Sequence, residues 1–180
     1  MPKYFEKISG ERLFLSPQNP DDAETYAKWL NDPAVTVPLG GYSMMFTPAR
    51  LRKELENNED NSAQWYSIVL CEGDRLIGTV HFMNINWVHR SATLGIYIGE
   101  QADRGQGYGT EAVHLLLGYG FHTLNLHNIQ LQVLASNTQA IACYEKVGFR
   151  EIGRRRQAEF HGGNYVDVVH MDILSSEFTP

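Results

Sequence analysis

Three glycines at alternate positions, Gly105, Gly107 and Gly109, follow Arg104 in the stretch Asp-Arg-Gly-Gln-Gly-Tyr-Gly-Thr-Glu-Ala, residues 103–112, which then runs into an apolar segment. Each glycine inside a helix costs on the order of 1 kcal/mol relative to alanine, so their place at the mouth of a helical pattern asks for another purpose. The first backbone N–H groups of a helix have no partner within it, and the helix dipole adds partial positive charge there. Glycines reach turn dihedrals closed to other residues and leave no side chain to hold an anion off. The pattern therefore predicts a phosphate or pyrophosphate bound by backbone amides, with Arg104 supplying a full charge at the entrance. It is not a Walker loop, since no Gly-Lys-Ser/Thr follows. It also lacks the third glycine of a dinucleotide fingerprint and lies late in the chain. A glycine-rich surface turn without a ligand is the plain alternative.

The elements around this loop predict a mixed, mostly antiparallel sheet with helices on both faces, an α+β sandwich within the broad α/β class. A first strand covers Glu11–Pro17. A helix follows over Asn19–Asp32, with Asn19 as N-cap and Pro20 in the first position. Residues 35–46 read as a loop, and Thr47-Pro48 repeats the cap signal before a second helix. Trp65–Cys71 and Arg75–Met83 are strands joined at Glu72-Gly73-Asp74. Ala92–Gly99 alternates, with Leu94, Ile96 and Ile98 on one face and Thr93, Gly95 and Tyr97 on the other. The helix after the glycines is apolar almost all round and reads as buried. Ile129–Ala135 is a strand, Asn137–Val147 a helix stopped by Gly148, and two last strands flank the turn at residues 161–164.

At 180 residues one domain is expected, spanning the whole sequence. The formal charge of −6 argues against nucleic acid as a partner and is compatible with a cationic acceptor. Cys71 and Cys143 form no CxxC pair, so neither a disulfide framework nor a metal site is expected. No signal peptide or membrane span is read, and a cytoplasmic protein is the expectation.

The segment Arg-Gly-Gln-Gly-Tyr-Gly, residues 104–109, resembles the Arg/Gln-x-x-Gly-x-Gly/Ala loop of the GCN5-related N-acetyltransferases, the GNAT superfamily. Downstream, residues 131–150 resemble the family's second signature: a strand ending near an asparagine, a helix, and a tyrosine shortly before Gly-Phe. Residues 84–96 and 149–153 look most like the branch of ribosomal-protein N-terminal and spermidine acetyltransferases. The resemblance implies acetyl-CoA as co-substrate, lying in a V-shaped opening between two splayed parallel strands, here Ala92–Gly99 and Ile129–Ala135. It implies that Tyr97, Ile98 and Gly99 offer backbone groups to the pantetheine and thioester. It also implies that the amides of Arg104, Gly105, Gln106, Gly107, Tyr108, Gly109 and Thr110 hold the pyrophosphate, and that Asn137 bonds the pantetheine arm. Taken as a bare sequence feature, Asn137 is a helix N-cap.

The implied reaction is direct attack of a primary amine on the thioester. Tyr144 matches the family tyrosine that protonates the departing thiolate; by spacing alone it is equally a core aromatic. Glu100 is the expected proton acceptor, with a solvated loop carboxylate as the alternative, and His81 is a second titratable group nearby. Some family members that act on protein N-termini use a glutamate where this chain has Gln132. The acceptor is expected to be a small-molecule amine or a peptide N-terminus, bound by residues 35–48 and the last hairpin, with Tyr42, Met44, Met45 and Phe46 as candidate pocket residues. Polyamine enzymes of the branch carry acidic residues where this chain has His81 and Asn84, which weighs against spermidine. A CoA-binding module without chemistry is the rival reading. A monomer or homodimer is expected.

Overall fold

Alternation decides which face each strand buries. In the strand at Leu13–Pro17, Leu13 and Leu15 are fully buried on one side, while Phe14 turns to the other and packs with Tyr4 and Val69. The same rule builds an eight-stranded sheet in the computed structural model, which describes residues 2–41, 44–57 and 62–180. Its strands are β1 (Ile8–Ser9), β2 (Leu13–Pro17), β3 (Gln64–Leu70), β4 (Arg75–Asn86), β5 (Ser91–Ile98), β6 (Asn128–Leu134), β7 (Arg150–His161) and β8 (Asn164–Leu174), in the spatial order β1-β2-β3-β4-β5-β6-β8-β7. Neighbours are antiparallel except β5 and β6.

That parallel pair closes only at its start. The partners are Ser91 with Asn128, Ala92 with Ile129 and Thr93 with Gln130. Arg90 O fastens the narrow end by accepting from the amides of His127 and Asn128. Beyond Thr93 and Gln130 the strands part, leaving a wedge between Leu94–Ile98 and Leu131–Leu134.

One face carries α1 (Ala23–Leu30) and α3 (Pro48–Glu56), and the other carries α4 (Tyr108–His122) and α5 (Thr138–Val147). Asn19 Oδ1 accepts from Asp21 N at 2.9 Å and caps a 3-10 turn leading into α1; Thr47 Oγ1 accepts from Arg50 N at 3.2 Å and caps α3. Gly148, with φ +113, ends α5.

Two expectations change. Residues 35–39, expected as loop, are helical: α2 (Pro33–Thr36) continues into a 3-10 turn at Val37–Leu39. Asp32 Oδ1 caps α2 by accepting from Ala34 N at 2.8 Å, and Pro33 fits its first turn. Helix α4 is buried on one face rather than all round: Ala112, Val113, Leu116 and Leu117 enter the core while Phe178 lies against the other side beside His114 and His122. No described helix is long and apolar enough to cross a membrane. Tyr42 and the acidic residues Glu59 and Asp60 lie outside the described residues.

Candidate functional site

The glycine loop begins at a buried carboxylate. Asp103 accepts two bonds from Arg75 at the start of β4, at 2.7 and 2.8 Å, and this fork fixes where the chain leaves the sheet. Gly105 and Gly107 then adopt φ +74 and +84, the left-handed region open to glycine. Such turns aim successive N–H groups into one concavity. Among the described residues, the amides from Gly105 through Thr110 donate to no protein group; Glu111 is the first to bond back, to Gly107 O at 3.1 Å. Gly105, Gln106 and Gly107 are exposed. A Cβ placed on Gly109 would lie 3.9 Å from Ile96 of β5, and one on Gly105 would lie 3.8 Å from Gln139 of α5, so the loop, the wedge and α5 meet.

The wedge exposes only every second residue of β5. Gly99 N donates to Ile77 O at 2.9 Å, on the β4 side. Backbone groups alternate along an extended strand, and the register with β4 is unbroken from Met83–Thr93 to Gly78–Ile98. Tyr97, paired with Thr79, therefore also turns its N–H and C=O to β4, and Ile96 and Ile98 turn theirs into the gap. The expectation that Tyr97, Ile98 and Gly99 all offer backbone groups narrows to Ile98, joined by Ile96. Gly99 has a different purpose: a Cβ there would overlap the Trp29 indole, so its bareness admits that ring.

Arg104 also departs from expectation. Its side chain turns away from the loop amides: Nε donates to Ile98 O at 3.1 Å, Nη2 to Gly99 O at 2.7 Å and Nη1 to Ala34 O at 2.8 Å. These carbonyls occupy the charge that the sequence assigned to a phosphate. The cation beside the loop is Arg12, missed in the sequence. It donates to Gln106 O at 3.0 Å, lies 4.9 Å over the Tyr108 ring and pairs with Glu111 at 2.8 Å. Residues 11–13 carry no local pattern that announces this, because the partners lie far along the chain.

Asn137 caps α5, its Oδ1 accepting from Ala140 N at 3.2 Å, and its Nδ2 makes a long 3.4 Å bond to Pro38 O. Thr110 Oγ1 and Cys143 Sγ are 3.1 Å apart, which seats α5 against the first turn of α4. Tyr144 is the buried residue of α5; its ring meets Phe149 edge-on and its hydroxyl has no hydrogen-bond partner among the described residues. Burial pushes its pKa well above the ordinary 10.0. Glu100, the expected base, accepts from Lys28 Nζ and from Trp29 Nε1 at 2.9 Å. The Lys28 bond first, then the Trp29 bond, lowers its pKa below the usual carboxylate value, which weakens it as a proton acceptor.

On the opposite face of β5 lies a cavity of about 400 Å³, lined among others by Tyr26, Leu51, Leu55, Trp65, His81 and Tyr97. His81 stacks on Trp65 with ring centroids 3.6 Å apart. It fits because its partner across the strands is Gly95; a Cβ there would overlap the imidazole. Desolvation pushes the His81 pKa down to about 3. Phe46 lines this cavity as expected, whereas Met44 and Met45 are 51% and 85% exposed and do not. The last hairpin reaches the loop after α2: a Cβ on Gly40 would come within 2.8 Å of Glu159 Oε2. Gln132 is exposed on β6. Arg154, Arg155 and Arg156 are exposed on the edge strand β7.

A family model described as the acetyltransferase (GNAT) domain matches residues 12–150. An uncharacterized N-acetyltransferase p20 of Bacillus licheniformis is 30% identical over 178 residues, 96% of this chain and 98% of that one. A spermidine N(1)-acetyltransferase of Vibrio cholerae is 40% identical over 103 residues, 57% of this chain and 59% of that one. Among solved structures, the spermidine N-acetyltransferase of Vibrio cholerae in complex with CoA and spermine is 28% identical, with a TM-score of 0.86 over 93% of this chain and 98% of that one.

Proposed function

Since this chain belongs to the GNAT acetyltransferase family and is an N-acetyltransferase, we propose that it moves the acetyl group of acetyl-CoA directly to the primary amine of a small molecule. The observation that carries this reading is the run of amides from Gly105 to Thr110, unpartnered among the described residues, beside the open end of the β5–β6 wedge. The donor set fits a diphosphate: neutral N–H groups, a helix start and no side chain in the way at Gly105 or Gly107. These amides would hold the pyrophosphate, and Ile96, Ile98 and Asn137 Nδ2 would face the pantetheine arm.

When bound, acetyl-CoA supplies the thioester carbonyl that the amine attacks. The Ile98 N–H, turned into the wedge, donates to the carbonyl oxygen as charge builds on it. Tyr144, held protonated by burial, would donate a hydrogen bond to the departing thiolate, which takes up the proton shed by the acylated nitrogen. The incoming amine, with an unperturbed pKa near 10.4, must first lose a proton. Glu100 and His81 are poor acceptors for it, the first tied to Lys28 and Trp29, the second held neutral by burial. We therefore assign that proton to solvent in the cavity, and assign Glu100 to fixing Trp29 against Gly99.

The test is amine-dependent thiol release from acetyl-CoA across a panel of polyamines, amino acids, aminoglycosides, arylalkylamines and peptides. Release above the hydrolysis background with at least one amine is expected. No release with any amine, together with measurable CoA binding, would instead identify a binding module.

A further inference from the structure

The cavity on the α1–α3 side of β5 is walled by Trp65, Tyr97, Met83, Leu30 and Leu55. Its volume of about 400 Å³ suits a small molecule. Among the described lining residues Glu54 is the one carboxylate, and it is half exposed and bonded to Arg50 Nε at 2.8 Å. A chain bearing several ammonium groups would leave water for apolar walls and find a single carboxylate already partnered, a poor exchange for each further charge. A flat apolar group meets the opposite situation. The Trp65 and His81 rings lie nearly parallel, at 23°, with the imidazole filling the space over Gly95, so the stacked pair forms a flat wall. Tyr97, on the same wall, is one residue from Ile98, whose amide faces the wedge. Aromatic walls also favour a single cation through their π faces.

Resting on the acetyl-transfer reading above, we infer that the acceptor is a monoamine with an aromatic or bulky apolar body, of the arylalkylamine class, seated against Trp65 and Tyr97 with its nitrogen toward Ile98. A polycation such as spermidine is then the weaker ligand, in contrast to what the names of the Vibrio cholerae relatives state for those proteins.

The experiment uses the full chain saturated with CoA. 2-Phenylethylamine and spermidine are titrated in by calorimetry, and both are assayed as acceptors with acetyl-CoA. The expected result is binding and kcat/KM for 2-phenylethylamine about tenfold or more above those for spermidine. Trp65→Ala should raise the KM for 2-phenylethylamine by about tenfold while moving that for spermidine less than about threefold. Leu55→Glu, at the partly exposed rim, adds a carboxylate without opening the core and should shift preference toward spermidine. Spermidine binding as tightly as 2-phenylethylamine, or neither binding, would overturn the inference. Binding of 2-phenylethylamine as expected, without thiol release from any amine, would leave the pocket's preference standing and sink the acetyl-transfer reading.

Discussion

Tyr144 keeps its hydroxyl proton at any working pH, because burial disfavours the phenolate. That suits a donor to a departing thiolate and unsuits it as a base. Tyr144→Phe keeps the ring contact with Phe149 and removes the proton. It should lower kcat about tenfold or more, roughly 1.4 kcal/mol of barrier, with the calorimetric acetyl-CoA affinity changed little; an unchanged kcat would remove Tyr144 from the mechanism. His81 makes a prediction about stability. Its folded pKa of about 3 lies below the ordinary 6.5, so the neutral form is the folded one. The contribution is complete above 6.5 and is lost as pH falls toward 3, because the unfolded chain takes up a proton there that the folded chain refuses. Near pH 4.5 this amounts to about 3 kcal/mol. Denaturant titrations at pH 7 and 4.5 should show a smaller loss for His81→Phe than for the parent chain; equal losses would contradict the burial argument. Neither the His81 Nδ1, which has no hydrogen-bond partner among the described residues, nor the inward turn of Arg104 was legible in the sequence. Both depend on neighbours brought in from other elements: Trp65 and Gly95 for one, Ala34 for the other.

At the scale of elements, the loop before α4 depends on two positive φ angles. Gly107→Ala places a Cβ where φ is +84 and the nearest atom is Arg12 Nη2 at 3.3 Å. A left-handed alanine costs roughly 1–2 kcal/mol, so the loop should relax away from its anion-binding shape. Calorimetry should show acetyl-CoA binding weakened by about tenfold; unchanged affinity would mean that this turn does not hold the coenzyme. Gly99→Ala is a different experiment, since its Cβ meets the Trp29 indole rather than a strained backbone. Overpacking of this kind costs about 1–3 kcal/mol, and thermal unfolding should register it. Local signals made these elements legible: caps at Asn19, Thr47 and Asn137, the stop at Gly148, and the alternation along β5. Helix α2 was missed because a single turn capped by Asp32 is too short to show a period. Which backbone groups of β5 reach the wedge was also hidden, because alternation names two sets but only the β4 register says which set is spent.

Across the whole molecule, two layers of helices meet through one opening in the sheet. On the α4–α5 side the loop amides gather beside Ile96; on the α1–α3 side the aromatic cavity ends at Tyr97. The β5–β6 wedge joins them, and two side chains from the α4–α5 side, Arg104 and Asn137, hold α2 and the 3-10 turn after it by bonding Ala34 O and Pro38 O. On the proposed reading, this arrangement would let a diphosphate be gripped on one face while an amine arrives from the other. The antiparallel sheet and its helices were readable from periodicity, and the parallel wedge from the resemblance carried by residues 104–109 and 131–150. The seating of the α2 segment over the wedge was not, because it rests on bonds between residues far apart in the chain. The most direct test of the central claim is a crystal structure of the chain with CoA. Diphosphate oxygens are expected within hydrogen-bond distance of amides in the Gly105–Thr110 run, with the pantetheine arm between β5 and β6. A coenzyme bound elsewhere, with those amides facing solvent, would contradict it.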